Sequence, residues 1–282
     1  MKKIATLLFL LTAGIIVLAQ SPTNKINLVK SQELKFSSTI KANISQEMMG
    51  QTMETIMDVS NKKSITVKDA DLLKYQLESK TTHLKMNLSM MGQDKAFDSD
   101  NKDDMTGEMK EMGKDINVAK PLILTTEGKC KPDEKNSPEK KEQDANPMAG
   151  MMQQMMGGGT EEITTAACFM LVPLDKKQGD SWTETIGDGT TKTIWNYTWD
   201  STLTNIAVIK ATAKETNNST VNAMGMDMTI NMTNDITEIR KVDLTSGVVI
   251  YNSSTKKING TIDIMGQSVP MSGTAITTVT AE

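Results

Sequence analysis

Apolar and polar residues alternate along two long stretches of the chain. In the first stretch the alternating apolar positions are Leu34, Phe36, Ile40 and Ile44; Ile65 and Val67; Leu73, Tyr75 and Leu77; and Leu84, Met86, Leu88 and Met90. In the second they are Trp195, Tyr197 and Trp199; Met224, Met226, Met228, Ile230 and Met232; and Ile258, Ile262 and Ile264. A period of two predicts strands with one buried face. A last strand over residues 276–280 should close the sheet.

Short turn signals separate these runs, namely Asn61-Lys62, Asp188-Gly189, Asn217-Asn218 and Ser246-Gly247. Strands joined by short turns favour antiparallel meanders over a parallel sheet that alternates with helices. The sequence therefore predicts a mainly β chain. We expect a curved antiparallel sheet or half-barrel of two similar halves, with one to three helices and a mobile loop in the middle.

The middle of the chain differs from its two flanks. A first half over about residues 30–128 gives way to a charged loop at 129–147, which has almost no apolar residue. A helix is predicted at 148–158 because Met148, Met151, Met152, Met155 and Met156 have the spacing of one helix face. The second half covers 160–282. A short helix is also predicted over 105–112 and a strand over 121–126, and we expect the helices to lie across the concave face of the sheet.

The N-terminus has the pattern of a cleavable signal peptide over residues 1–19. Two lysines precede an apolar run from Ile4 to Leu18, and Ala19 is followed by polar residues. The run has about 15 residues, fewer than the roughly 20 that span a bilayer. The alternative is an uncleaved N-terminal anchor. We expect residues 20–282 to form one exported β-rich domain, periplasmic or extracellular, soluble after cleavage and not embedded in the membrane.

A short string recurs along the chain. Met-Gly-Gln occurs at 49–51, 91–93 and 265–267, and Met224-Gly225-Met226 is a near copy. Glycine accepts positive φ at little steric cost, so each string predicts a hairpin turn or a bulge. The alternative is a recurrent loop that contacts a ligand.

These strings belong to a wider resemblance. Together with Phe97-Asp98-Ser99-Asp100, Thr126-Glu127-Gly128-Lys129, Val172-Pro173-Leu174 and Gly179-Asp180-Ser181-Trp182, they are similar to an uncharacterised family of exported bacterial β-rich proteins, known only as a domain of unknown function. The resemblance covers most of residues 30–280. It implies export and this architecture, and it implies no activity.

Composition and motifs argue against several classes of function. The net charge is −4 and no basic stripe carries interleaved aromatic residues, so nucleic acid is not an expected partner. His83 is the only histidine, and the sequence has neither a nucleophile elbow nor a phosphate-binding loop. We therefore expect no cofactor and no enzyme, although a catalytic pair of carboxylates stays open.

Binding is the function that the residue pattern favours. Aromatic residues make up 4% of the chain, while methionine occurs 23 times. Flexible Met side chains suit an adaptable apolar surface. We expect an envelope binding protein whose concave face holds an apolar small molecule or an envelope protein segment. The residues expected to line that face are Trp195, Tyr197, Trp199, Met151, Met152 and Met155.

Three alternatives stay open. Thioethers are ligands for Cu(I), and Met148, Met152 and Met156 would form such a site. The acidic run of Asp98, Asp100, Asp103 and Asp104 suits Ca²⁺, although it lacks the residues of an EF-hand loop. A purely structural envelope protein is the third alternative.

The chain has two cysteines, Cys130 and Cys168. Two cysteines in an oxidising compartment predict a disulfide. It would join the two ends of the segment that contains the charged loop and the Met-rich helix. Reduced thiols are the alternative.

Overall fold

Twelve strands and three short helices make up the described part of the computed structural model, which covers residues 23–48, 50–90, 92–107, 109–136, 161–187, 189–223, 226–264 and 266–282. The strands are β1 Glu33–Met48, β2 Gln51–Ala70, β3 Lys74–Met90, β4 Gln93–Asp98, β5 Lys120–Thr125, β6 Cys130–Pro132, β7 Ser181–Gly187, β8 Thr191–Leu203, β9 Ile206–Ala223, β10 Met226–Asp243, β11 Val249–Ile264 and β12 Gln267–Ala281. The helices are α1 Lys102–Thr106, α2 Lys110–Gly113 and α3 Glu161–Ala166.

All twelve strands belong to one antiparallel sheet that is not closed. Its order is β6-β5-β3-β2-β1-β12-β11-β10-β9-β8-β7, and β4 pairs with the part of β3 that β5 leaves uncovered. This confirms the predicted fold class. The strand predicted over residues 276–280 is confirmed as part of β12, but it pairs with β1 in the middle of the sheet and does not close it.

The recurrent glycines lie at hairpin turns. Gly50, Gly92 and Gly266 have φ of 75°, 73° and 80°. The strands on either side of these glycines are paired as far as the turn: Met48 is paired with Gln51, and Met90 is paired with Gln93. Two-residue hairpin loops need positive φ, which glycine adopts without a Cβ penalty.

Several boundaries differ from the sequence prediction. Asn61-Lys62 and Asn217-Asn218 are not turns but lie inside β2 and β9. Asn61, Lys62 and Asn217 are paired with a neighbouring strand on both sides, and Asn218 is paired with Asn231 of β10. Such pairing forces an extended backbone on residues that favour turns in isolation. The runs around Leu73 and Leu84 form the single strand β3, with an irregular register opposite Lys62 and Lys63.

The middle of the chain also differs in detail. The helix predicted over 105–112 is instead two short helices, α1 and α2, and β4 ends at Asp98, the first residue of the acidic run. Cys130–Pro132, in the predicted charged loop, pairs with β5. The predicted signal peptide, residues 137–147 of the predicted loop and the predicted Met-rich helix lie outside the described residues.

One face of the sheet, called the inner face below, carries all three apolar clusters of the described residues. The first cluster spans β1–β4 and β10–β12, and Met105, Met109 and Met112 pack against it. The second surrounds Phe36, Tyr75 and Phe169, and the third surrounds Tyr197, Trp199 and Ile209. The strand register places these residues on the same side, since Ala42 stands opposite both Met57 and Ala275. The core therefore covers one side of the sheet.

Candidate ligand-binding face

The predicted aromatic stripe lies on the inner face. Strand β8 directs Trp195, Tyr197 and Trp199 to the same side because they alternate along it. The rings of Trp195 and Tyr197 stack with centroids 5.6 Å apart, and Trp182 of β7 stacks on Tyr197 at 5.3 Å. Tyr197 and Trp199 are buried, whereas Trp182 and Trp195 are half-buried. Of these four residues, only Trp182 and Trp195 present part of their ring surface to the exterior.

Trp199 has a structural role at the end of this stripe. Its indole Nε1 donates to the carbonyl oxygen of Ser201 at 3.1 Å and to the hydroxyl of Thr202 at 3.0 Å. These bonds fix the indole against the chain just beyond a register irregularity between residues 199 and 201. The side chain packs in the third apolar cluster.

Arg240 of β10 joins the aromatic stripe to a buried carboxylate. Its guanidinium lies 5.2 Å from the ring centroid of Trp195 and 5.9 Å from that of Tyr197. Its Nε forms an ion pair with Glu238, whose side chain is 4% exposed, and its Nη1 lies 3.8 Å from the sulfur of Met170. A guanidinium between a carboxylate and aromatic faces combines an ion pair with cation–π attraction.

The pKa values of this cluster follow from burial and charge. Burial raises the pKa of Tyr197 above its usual value of 10.0; Arg240 opposes this shift, and Glu184 and Glu238 add to it. Burial is the largest single influence on Arg240 and works to lower its pKa, but the charge and hydrogen bond of Glu238, together with Tyr197 and Glu184, outweigh it and the pKa is raised. The cluster therefore holds a neutral phenol and a charged guanidinium side by side.

A second polar group lies on the same face, across β9, β10 and β11. The ammonium of Lys256 is 2.9 Å from Oε1 of Glu215, and Nδ2 of Asn234 donates to that same oxygen at 2.7 Å. Apolar residues of the first cluster adjoin it, since Ile258 stands opposite Asn234 and Met232 precedes it on the same face of β10. The group is a polar island within an apolar surface.

Sequence reasoning missed both polar groups. The signal was present in β10, where Asn234, Glu238 and Arg240 occupy the same alternating positions as Met228, Ile230 and Ile236. Polar residues at positions that the pattern assigns to the core are unusual, because burying them without partners costs free energy. They indicate either buried ion pairs or a binding site.

Methionines gather in the first apolar cluster. Its buried members include Met57, Met86, Met228, Met232 and Met271, and the three methionines of residues 105–112 pack against them. The sulfur of Met271 accepts a hydrogen bond from Gln46 Nε2 at 3.4 Å. The methionines that the sequence predicts for binding, Met148, Met151, Met152, Met155 and Met156, lie outside the described residues.

The two cysteines belong to the second cluster, where Cys168 is buried and Cys130 is half-buried. Sγ of Cys168 also lies 3.5 Å from the carbonyl oxygen of Thr164. The disulfide between the two cysteines stays a prediction.

His83 and the acidic run meet at the end of β4. Nε2 of His83 is 3.1 Å from Oδ1 of Asp98 and 3.5 Å from Oδ2 of Asp100, and Lys85 Nζ lies 3.3 Å from Asp98. Oδ1 of Asp98 accepts a hydrogen bond from the backbone N–H of Asp100. This bond lowers the pKa of Asp98, and Lys85 and His83 lower it further. Asp104 in turn accepts the N–H of Asp98. Oδ1 of Asp98 and Oδ2 of Asp104 thus accept backbone hydrogen bonds, and the positive charge of Lys85 beside Asp98 would repel a bound cation.

No helix among the described residues combines the length and apolar character needed to cross a membrane.

The sequence matches no family model and no curated protein. Among solved structures, one described as "lipid-protein interactions in lipovitellin" has a TM-score of 0.48 and 10% identity to this chain. The match covers 91% of this chain and 25% of that one, so the chain spans about a quarter of its length.

Proposed function

We propose that this chain is an exported, non-catalytic binding protein of the cell envelope. Its inner face holds an apolar ligand or an apolar segment of a partner protein. The proposal extends to the compartment, which rests on the signal-peptide pattern of residues 1–19.

One observation carries the proposal: an unclosed sheet gathers its apolar clusters on a single face, with half-buried Trp182 and Trp195 on that face. The side chains of the clusters are already buried, and the exposed parts of Trp182 and Trp195 are apolar surface that this face offers to a ligand. The methionines of the first cluster add adaptability, because their unbranched side chains accept ligands of different shape.

The test is binding of N-phenyl-1-naphthylamine, an apolar probe that fluoresces when it leaves water. We expect saturable binding by the purified protein, and native mass spectrometry should detect any apolar molecule that is purified with it. Trp195→Ala should weaken probe binding. The control is Ile194→Ala, since Ile194 is the preceding residue of β8 and points to the opposite, exposed face. A protein that binds no probe and carries no small molecule would refute the proposal.

Cu(I) binding is the second candidate, favoured by eight methionines of the described residues that lie in or against the first cluster. Competition with the chelator bicinchoninate under anaerobic conditions measures it. Met57→Leu keeps the apolar volume and removes one sulfur, so it should weaken Cu(I) binding without weakening binding of the apolar probe. An affinity no greater than that of a methionine-poor control protein rejects the metal function.

A further inference from the structure

The polar island of Glu215, Lys256 and Asn234 contains an acceptor without a donor. Asn234 is 5% exposed, and in the described part of the chain its Oδ1 has no hydrogen-bond partner. A buried acceptor in this state is unfavourable and is uncommon in folded proteins. Its presence on the candidate binding face needs an explanation.

The orientation of the Asn234 amide is fixed by its neighbour. Its other end lies 2.7 Å from a carboxylate oxygen of Glu215, which accepts hydrogen bonds and cannot donate them when ionised. Turning the amide over would place two acceptors against each other. The acceptor without a partner is therefore Oδ1, and a ligand group that forms a hydrogen bond with it must be a donor.

The surrounding charges narrow the class of donor. A ligand anion would meet the carboxylate of Glu215 and the carbonyl dipole of Asn234, both of which repel it. A ligand cation would meet the ammonium of Lys256, which already lies 2.9 Å from Glu215. A neutral hydroxyl or amide N–H can donate to Asn234 without either penalty.

The environment of the island defines the rest of the ligand. Ile258, opposite Asn234, is buried in the first apolar cluster, and Met232 and Ile236 flank Asn234 on the same face of β10. A molecule that donates to Oδ1 therefore places its remaining surface against apolar side chains. This arrangement matches an amphipathic molecule.

We propose that Asn234 is the polar anchor of the binding face and selects apolar ligands that carry a neutral hydrogen-bond donor, such as a long-chain alcohol. This inference rests on the proposed function. Asn252, also on the inner face and opposite Arg240, has a buried Oδ1 without a partner among the described residues and offers a second acceptor further along the face.

The experiment compares 1-dodecanol with dodecyl methyl ether, which differ by the donor. Each competes with N-phenyl-1-naphthylamine for the purified protein. We expect the wild type to prefer the alcohol by about tenfold, the effect of one hydrogen bond. Asn234→Leu should abolish the preference while the ether still binds. The control is Asn231→Leu, on the opposite face of β10, where Nδ2 donates to Asp263.

The outcomes separate this inference from the proposed function. Equal wild-type affinity for both molecules overturns the anchor and leaves the binding function standing. A preference that survives in Asn234→Leu also overturns it. If the protein binds neither molecule and no apolar probe, the proposed function fails and the anchor fails with it. The comparison of 1-dodecanol with dodecyl methyl ether on the wild type tests the proposal even if the Asn234→Leu variant does not fold.

Discussion

Gly273 of the last strand stands directly opposite Ile44 of the first, at the line where the two halves of the sheet join. A Cβ on Gly273 would lie 2.5 Å from the carbonyl oxygen of Asn43 and 2.9 Å from Cα of Ile44. Backbone atoms cannot withdraw as the end of a side chain can. The close approach of β1 and β12 therefore requires glycine here.

Gly273→Ala should destabilise the protein by about 1–3 kcal/mol, the usual cost of inserting atoms into a packed region. Urea unfolding followed by circular dichroism measures the change. Gly189→Ala is the control because a Cβ there meets no atom within 4 Å. An equal effect of the two substitutions would show that steric contact at the β1–β12 join is not the cause.

The Arg240–Glu238 pair should behave as a buried ion pair. Arg240→Met leaves the carboxylate of Glu238 buried without its partner and should cost about 3–5 kcal/mol of unfolding free energy. Replacing both, as Arg240→Met with Glu238→Leu, should recover most of that loss. Lys41→Met, which breaks the exposed pair with Asp58, should cost less than about 1 kcal/mol. A double variant no more stable than the single one contradicts this account.

The buried phenol of Tyr197 should make the folded protein less stable at alkaline pH. Because burial raises its pKa in the folded protein, folding favours the neutral phenol. This contribution is fully present below the unfolded pKa of 10.0 and is lost as the pH rises beyond it towards the higher folded value.

Unfolding midpoints in urea at pH 8 and pH 11 measure this effect. The decrease between the two pH values should be smaller for Tyr197→Phe than for the wild type. Tyr251→Phe is the matched control and should retain the wild-type decrease, since it leaves Tyr197 in place. An identical decrease in all three proteins would exclude Tyr197 as the source.

Replacing a hairpin glycine with asparagine should cost less stability than replacing it with alanine. Gly50 has φ of 75°, a conformation that costs an alanine about 1–2 kcal/mol. Asparagine adopts this region more readily, so Gly50→Asn should lose less stability than Gly50→Ala in thermal unfolding. The reverse order would mean that the turn does not need a left-handed residue.

The sequence was informative where a residue's environment is local or periodic. Alternating apolar residues identified the buried face of β1, β3, β8, β10 and β11, and the recurrent glycines marked hairpin turns. It was misleading at Asn61 and Asn217, because turn propensity is a local property and pairing with strands on both sides overrides it. The signal-peptide pattern and the Met-rich helix remain predictions.

By itself, the sequence determined the class of fold, because apolar residues that recur at every second position are typical of strands with one buried face. Only the tertiary structure decided which strands meet and what their inner face holds. The pairing of β1 with β12 joins residues more than 200 positions apart, and no local pattern encodes it. The polar island likewise forms from Glu215, Asn234 and Lys256, which three different strands bring within hydrogen-bonding distance.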